Sequence, residues 1–353
     1  MKYGLKFNPF TVKNVIDMSD FKRFPFLITN TQEVLKYAIE LDLKTKKTNE
    51  TTLRFIILGE RGIGKTSTLM FLKDIVDSHG DLMVYSRYTN NLNVLGSVKT
   101  FESLIIPDEV VNGDSSKERI AKWLSDKLVY LFIDVPDTLD RNLAYSLAFG
   151  MQFATEFKNL RIFVTMNKSH MNKISDVSEI TGKYTVVHLT KFDLQQAKEL
   201  IVGRLKAVRE IDVPDELYPF TEEVVEKIYK YSHGIPRNII SICDLCITYG
   251  TMRDLEWITE DVVDEVVSKH YLSTVPYMES EAKKKRLMKL YEIIKNDFNG
   301  YVYGESNLYS MVKKKLGWSM ITTRKYLREM EKLGMVVIKK SPDNAWTNII
   351  EAT

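Results

Sequence analysis

The run Leu53–Leu72, LRFIILGERGIGKTSTLMFL, decides how this chain is read. Leu53, Phe55, Ile56, Ile57 and Leu58 form a short apolar run, the pattern of a strand buried in a parallel sheet. The next eight residues, Gly59, Glu60, Arg61, Gly62, Ile63, Gly64, Lys65 and Thr66, satisfy the phosphate-loop pattern G-x-x-x-x-G-K-[ST]. Glycines there let consecutive main-chain N–H groups turn inward onto phosphate oxygens. Lys65 brings a positive charge to the β- and γ-phosphates, and the Thr66 hydroxyl is suited to Mg²⁺. Ser67–Leu72 then reads as a helix whose N-terminal dipole faces the same anion. A strand before and a helix after make this a nucleoside triphosphate site.

Composition bounds the rest. At 353 residues the chain is long enough for two domains, or three small ones. Charged residues make up 27% but nearly cancel, at a net +3, and hydrophobic content is ordinary, so the class is soluble and globular. The distribution is uneven: residues 281–353 hold 15 Lys and Arg against 8 Asp and Glu, while the first 280 residues are net acidic. A basic C-terminal module follows a mildly acidic engine. Two cysteines, Cys243 and Cys246, lie in an apolar helical run. A C-x-x-C is half of a zinc site, but no second Cys pair exists and the five histidines are scattered, so buried free thiols fit better. Charges at Lys2, Lys6, Lys13, Asp17 and Asp20 interrupt any signal peptide. The uncharged run Asn142–Thr155 is too short to span a bilayer, so the expected location is the cytoplasm, away from membranes.

Taken in order, residues 1–30 are rich in Phe and Pro and read as an irregular, packed segment. Residues 31–43 predict an amphipathic helix with Val34, Leu35, Ala38 and Ile39 on one face, and 44–52 a polar linker. Strands are predicted over 81–88, 128–135, 161–166 and 184–189, with a helix over 115–127. The second strand ends in Asp134, a carboxylate beside the loop Thr that could share its Mg²⁺. The third ends at Asn167, in the crevice where ligands of parallel sheets bind. From Asp193 the strands stop, and four segments show helical spacing. Between the second and third lies Ser232-His233-Gly234-Ile235-Pro236-Arg237: a helix end, a rigid restart, and an Arg held in the new first turn, able to reach an anion. Residues 271–280 read as a connector. Three further helices (281–296, 306–316 and 320–333) and a hairpin (335–340, a turn at 341–344, 345–350) predict a winged helix. Met320, Leu327 and Met330 form the core stripe of its third helix; Thr323, Arg324 and Arg328 are placed at DNA, and Lys339 and Lys340 at phosphates. The alternative is a helical protein-interaction domain with a solvated basic face.

This order resembles the AAA+ ATPases, and among them the archaeal and eukaryotic origin-recognition and cell-division-cycle initiators, over nearly the whole chain. The resemblance implies an α/β class fold: a P-loop AAA+ parallel sheet core over 1–192, an all-helical lid over 193–272 and a C-terminal winged-helix domain over 273–353. Phe7-Asn8-Pro9-Phe10 is similar to an entry segment near the adenine, Gly59–Thr66 to Walker A, Asp134 to the Walker B aspartate, and Asn167 to sensor 1. Gly234-Ile235-Pro236-Arg237 is similar to sensor 2, whose Arg meets the γ-phosphate. The implied ligands are ATP or ADP with Mg²⁺, and the implied partners double-stranded DNA and replication proteins, in a monomer or a nucleotide-dependent oligomer. Two departures stand out. Val135, not an acid, follows Asp134, the next acid being Asp137; and no Arg lies between Asn167 and Arg204 to serve as a trans finger. Slow or partner-dependent hydrolysis is therefore expected.

Two other readings compete with this one. Asn167-Lys168 matches the start of the guanine-reading N-K-x-D, but His170 stands at its fourth position and Asp134–Asp137 lacks the Gly of D-x-x-G. A signalling-type or transposition-associated AAA+ relative would share the phosphate loop and use lid and winged helix for protein contacts.

Overall fold

The computed structural model describes residues 2–11, 24–45, 52–106, 115–175, 182–213, 215–271, 281–332, 335–340 and 348–352. The chain divides into two compact units, Met1–Val266 and Val267–Thr353. Elements of the first run α1 (Asn30–Thr45), β1 (Arg54–Leu58), α2 (Lys65–Asp77), β2 (Val84–Thr89), α3 (Val98–Ile105), α4 (Ser116–Trp123), β3 (Leu128–Asp134), α5 (Arg141–Ala154), β4 (Leu160–Met166), α6 (Lys168–Ser175) and β5 (Thr185–His188). Four helices follow: α7 (Leu194–Lys206), α8 (Glu222–Ser232), α9 (Pro236–Met252) and α10 (Glu260–Val266).

The five strands are all parallel, in the order β2-β3-β4-β1-β5. The near-continuous apolar strands follow from burial on both faces. Alternation sends Ile56, Leu58, Val129, Leu131, Ile133, Ile162 and Val164 to a core shared with Phe101 and Ile105 of α3 and Leu147 and Met151 of α5. Their neighbours Phe55, Ile57, Tyr130, Phe132 and Phe163 face the other way, onto Leu35 and Ile39 of α1 and Leu69 and Leu72 of α2. This is the AAA+ P-loop arrangement, and it sets the carboxyl ends of β1, β3 and β4 side by side.

Several expectations shift. Helix α1 runs through Thr45, and Val34 is 59% exposed instead of packed, because the buried stripe continues to Asp42. That carboxylate accepts two hydrogen bonds of 2.8 Å from Arg161 of β4 and one of 2.6 Å from Tyr130 of β3. Strand β2 starts at Val84, since Asp81 caps a turn through the Met83 N–H. Helix α4 ends at Trp123 and begins in a capping box between Ser115 and Glu118. The uncharged run after Arg141 lies in α5, a helix sunk against the sheet. Helices α3 and α6 also lie where no element was expected. Residues 12–23 and 46–51, part of the irregular N-terminal segment and of the linker, lie outside the described residues.

Helix α7 opens with a capping box between Asp193 and Gln196, and α8 with a Thr221 cap. The link from α8 to α9 requires its glycine: at Gly234 φ is +69°, and a Cβ there would come within 2.3 Å of the Phe192 carbonyl. His233, not Gly234, forms the left-handed C-cap of α8, and Pro236 starts α9. Cys243 and Cys246 are buried free thiols on α9, and burial pushes both thiol pKa values up.

The second unit contains α11 (Glu281–Asp297), β6 (Tyr301–Tyr303), α12 (Glu305–Leu316), α13 (Met320–Lys332), β7 (Val336–Lys340) and β8 (Asn348–Ala352). Its strands form an antiparallel sheet in the order β6-β8-β7. Three helices accompany this small antiparallel sheet, in which β6 is a strand that was not expected. The connector 272–280, residues 333–334 and residues 341–347, which include the expected turn and the expected start of the last strand, lie outside the described residues. One side-chain assignment reverses. Thr323 is fully buried, its hydroxyl donating to the Ser319 carbonyl at 3.0 Å, and it cannot face DNA. Met320, expected in the core, is 54% exposed. The inward face of α13 is Thr323, Tyr326, Leu327 and Met330; Met320 points to the same side but stands exposed in the first turn of the helix.

Candidate functional site

A cavity of about 580 Å³ opens at the carboxyl ends of β1 and β3, between the sheet and the lid helices α7 and α9. The phosphate loop is its floor. Gly62 (φ +79°) and Gly64 (φ +102°) take the left-handed angles that turn the main chain inward, and Gly64 hands directly into α2. Arg61, Gly62, Ile63, Gly64, Lys65, Thr66 and Ser67 all line it. Gly59 and Glu60 contribute carbonyls instead, and the Glu60 carboxylate turns to Lys191 at 3.5 Å.

Lys65 is held by three acceptors: the carbonyls of Gly59 (3.0 Å) and Glu60 (2.9 Å) and Oδ1 of Asn167 (2.9 Å). Burial lowers the pKa of its ammonium, opposed by the charges of Asp137 and Asp134. Thr66 Oγ1 donates to Asp134 Oδ2 at 2.6 Å, and Thr165 Oγ1 to Asp134 Oδ1 at the same distance. The phosphate loop, the end of β3 and the end of β4 thus meet at one point. Neighbouring parallel strands make this so: Leu58 pairs with Met166, and Asp134 with Thr165.

Arg237 stands in the first turn of α9, on the helical side of the cavity. Its main-chain N–H donates to the Gly62 carbonyl at 3.2 Å, and the residue lines the cavity. The entry segment supplies Phe7 and Asn8, with Asn8 Nδ2 donating to Asp244 Oδ1 at 2.6 Å. Burial raises the Asp244 carboxyl, opposed by that bond from Asn8.

Four participants went unnoticed as site residues in the sequence. Tyr88, near the end of β2, donates to Asp134 at 3.3 Å. Thr165 is the last but one residue of β4 and reads there as an ordinary strand residue. Arg204 of α7 donates to the Pro9 carbonyl at 2.7 Å, its guanidinium 4.5 Å from the Phe24 ring centroid, with burial lowering its pKa to about 10. Asp137 pairs with Arg61 at 2.8 Å. Only Asp137 carried a signal, as the first acid after Asp134.

In the second unit, the residues expected at DNA are exposed except Thr323. Arg324 and Arg328 border a cavity of about 960 Å³ beside Tyr303, Asn307 and Asn348. Arg324 donates to Glu305 at 3.2 Å and to the Tyr309 hydroxyl at 3.1 Å, and Lys339 pairs with Glu351 at 2.7 Å. Burial would raise the Glu305 carboxyl, but bonds from Tyr309, Asn348 and Arg324 outweigh it and hold its pKa below the ordinary value.

No family model matches the sequence. Among solved structures, the ORC2 protein of Aeropyrum pernix in its ADPNP–ADP complexes aligns over 99% of this chain and 94% of its own, with TM-score 0.63 at 14% identity. Cdc6p from Pyrobaculum aerophilum aligns over 96% and 94%, with TM-score 0.50 at 15% identity. The chain has an Orc/Cdc6-type AAA+ fold. A curated relative from Methanocaldococcus jannaschii, an uncharacterized HTH-type transcriptional regulator, is 24% identical over 310 residues, 75% of this chain and 73% of its own. No helix among the described residues is long and apolar enough to cross a membrane.

Proposed function

We propose that this chain is an initiator-like AAA+ ATPase: it binds Mg-ATP in the cleft, and the nucleotide state governs DNA engagement and partner recruitment. The observation that carries this reading is the convergence of Lys65, Thr66, Asp134, Asn167 and Arg237 around the phosphate loop. Thr66 and Asp134 offer adjoining hard oxygen donors, which suit Mg²⁺ completed by phosphate oxygens and water. Lys65 would leave its carbonyls for the phosphates, and Arg237 would report the γ-phosphate to the lid. The sheet domain (1–192), lid (193–272) and winged helix (273–353) would divide these tasks. The adenine nucleotides of the Aeropyrum ORC2 structure support the ligand class. The Methanocaldococcus relative, as an HTH-type regulator, supports a DNA partner.

In the second unit, Arg324 and Arg328 would face base edges from α13, and Lys339 and Lys340 would meet phosphates from the β7 side of the hairpin. Two measurements on the full-length chain test the reading. Lys65→Ala abolishes binding of a fluorescent ATP analogue; parent-like binding by this variant overturns the nucleotide assignment. Lys339→Ala/Lys340→Ala lowers the slope of log K against log salt for duplex DNA by about 0.9 for each phosphate no longer neutralised. An unchanged slope and affinity remove the DNA role and leave a protein-adaptor module.

A further inference from the structure

Two carboxylates line the cavity, Asp134 and Asp137, and they are held in different ways. Asp134 is fully engaged: Thr66 and Tyr88 donate to one oxygen and Thr165 to the other. Such a carboxylate can hold a metal but has little left to direct a water. The residue that follows it, Val135, is 5% exposed and belongs to the core beneath the sheet, so that position supplies no chemistry. Asp137 lies two residues further on, beyond Pro136, on the rim of the cavity.

Its placement is fixed from two sides. His170, buried on α6, sets its Nε2 3.1 Å from the Asp137 carbonyl oxygen and ties that stretch of main chain to the helix that follows Asn167. Arg61 Nε lies 2.8 Å from Asp137 Oδ2, and Arg61 belongs to the phosphate loop itself. The ion pair therefore spans the cavity mouth from the loop to the end of β3. Asp137 lines the same cavity as Lys65 and the other residues of the phosphate loop.

We propose that Asp137 is the acid that orients and deprotonates the attacking water, and that Arg61 is its release partner. This rests on the nucleotide reading given above. Without nucleotide, Arg61 pairs with Asp137. A γ-phosphate carries more charge than one carboxylate and draws the guanidinium onto itself, freeing Asp137 for the water. In the step that follows, the water oxygen bonds to the γ-phosphorus while the bond from phosphorus to the β–γ bridging oxygen breaks. The electron pair of that bond leaves with ADP. The water proton goes to the Asp137 carboxylate and from there to the phosphate product. A single chain thus carries both a carboxylate and a guanidinium for hydrolysis, at positions other than those where its relatives are expected to keep them.

The test uses the full-length chain with two readouts, affinity for a fluorescent ATP analogue with Mg²⁺ and single-turnover hydrolysis, with thermal melting to confirm the fold. Asp137→Asn keeps shape and removes the base; it binds ATP as tightly as the parent or more so, while hydrolysis falls about 100-fold or more. Asp137→Glu restores part of that rate. Arg61→Gln weakens ATP binding relative to ADP, because only ATP presents the γ-phosphate. Parent-like hydrolysis by Asp137→Asn overturns the proposal, as does a parent that binds ATP and turns none over, or an Asp137→Asn chain that loses binding and melts early. A parent that binds no nucleotide is a different result: it removes the ATP site itself.

Discussion

The phosphate-loop cleft and the basic face of the C-terminal unit both depend on charged side chains, but they hold them differently. In the cleft, partners arrive from separate strands and the groups are partly or wholly buried: Lys65 on Asn167, Thr66 on Asp134. Behind it, Asp42, Arg161 and Tyr130 tie α1 to the sheet in full burial. On the C-terminal face, Arg324, Arg328, Lys339 and Lys340 stand in solvent, and the pairs Arg324–Glu305 and Lys339–Glu351 are exposed on at least one side. Buried pairs set geometry because neither member can be left alone in a low dielectric. Exposed pairs exchange readily with water, salt or a phosphate, which suits a surface that must change partners.

The sharpest break of this contrast is Asp42→Ala. It leaves the Arg161 guanidinium buried without its carboxylate and lowers unfolding free energy by about 3–5 kcal/mol, read from denaturant midpoints. A drop no larger than that of a surface substitution removes the distinction between the two regions. Arg237→Ala comes next. The fold and ADP affinity persist, while preference for ATP over ADP falls about 10- to 100-fold, the worth of a charged hydrogen bond of about 1.5–3 kcal/mol. Equal affinities for the two nucleotides in the parent contradict the assignment at the outset.

Glu305→Gln gives the smallest effect and bears on the exposed side. Because the native state lowers the Glu305 pKa, its contribution is full above the usual carboxylate range and fades as pH falls through the lowered value. The variant and parent therefore differ slightly in melting midpoint at neutral pH and converge in acid. The same change frees Arg324 and raises DNA affinity at low salt. Convergence absent, or affinity unchanged, shows that the Glu305–Arg324 pair does not restrain the basic face.

The phosphate loop, the strand ending in Asp134 and the Gly-Ile-Pro-Arg restart were legible because each is a local pattern with a local cause. A tight glycine turn needs positive φ, a buried parallel strand needs an apolar run, and Pro fits a first helical turn. Amphipathic phase was less legible. Val34 is apolar yet off the buried face of α1, and Thr323 is polar yet central in the buried face of α13, so residue type there misstates which side meets the core. Strand β6 has only three residues and gains its partners from β8, nearly fifty residues later, so no local signal announces it.

The order of the parallel sheet, the fully buried Asp42–Arg161 pair and the meeting of Tyr88, Thr165 and Thr66 on Asp134 were decided by tertiary structure alone. Each joins residues far apart in sequence, through packing that no periodicity encodes. Sequence determined that a phosphate loop would exist, with its lysine and hydroxyl, because that motif carries its own geometry. Folding determined what surrounds it: Val135 was turned into the core by the strand's alternation, and Asp137 was brought to Arg61 in the cavity lining.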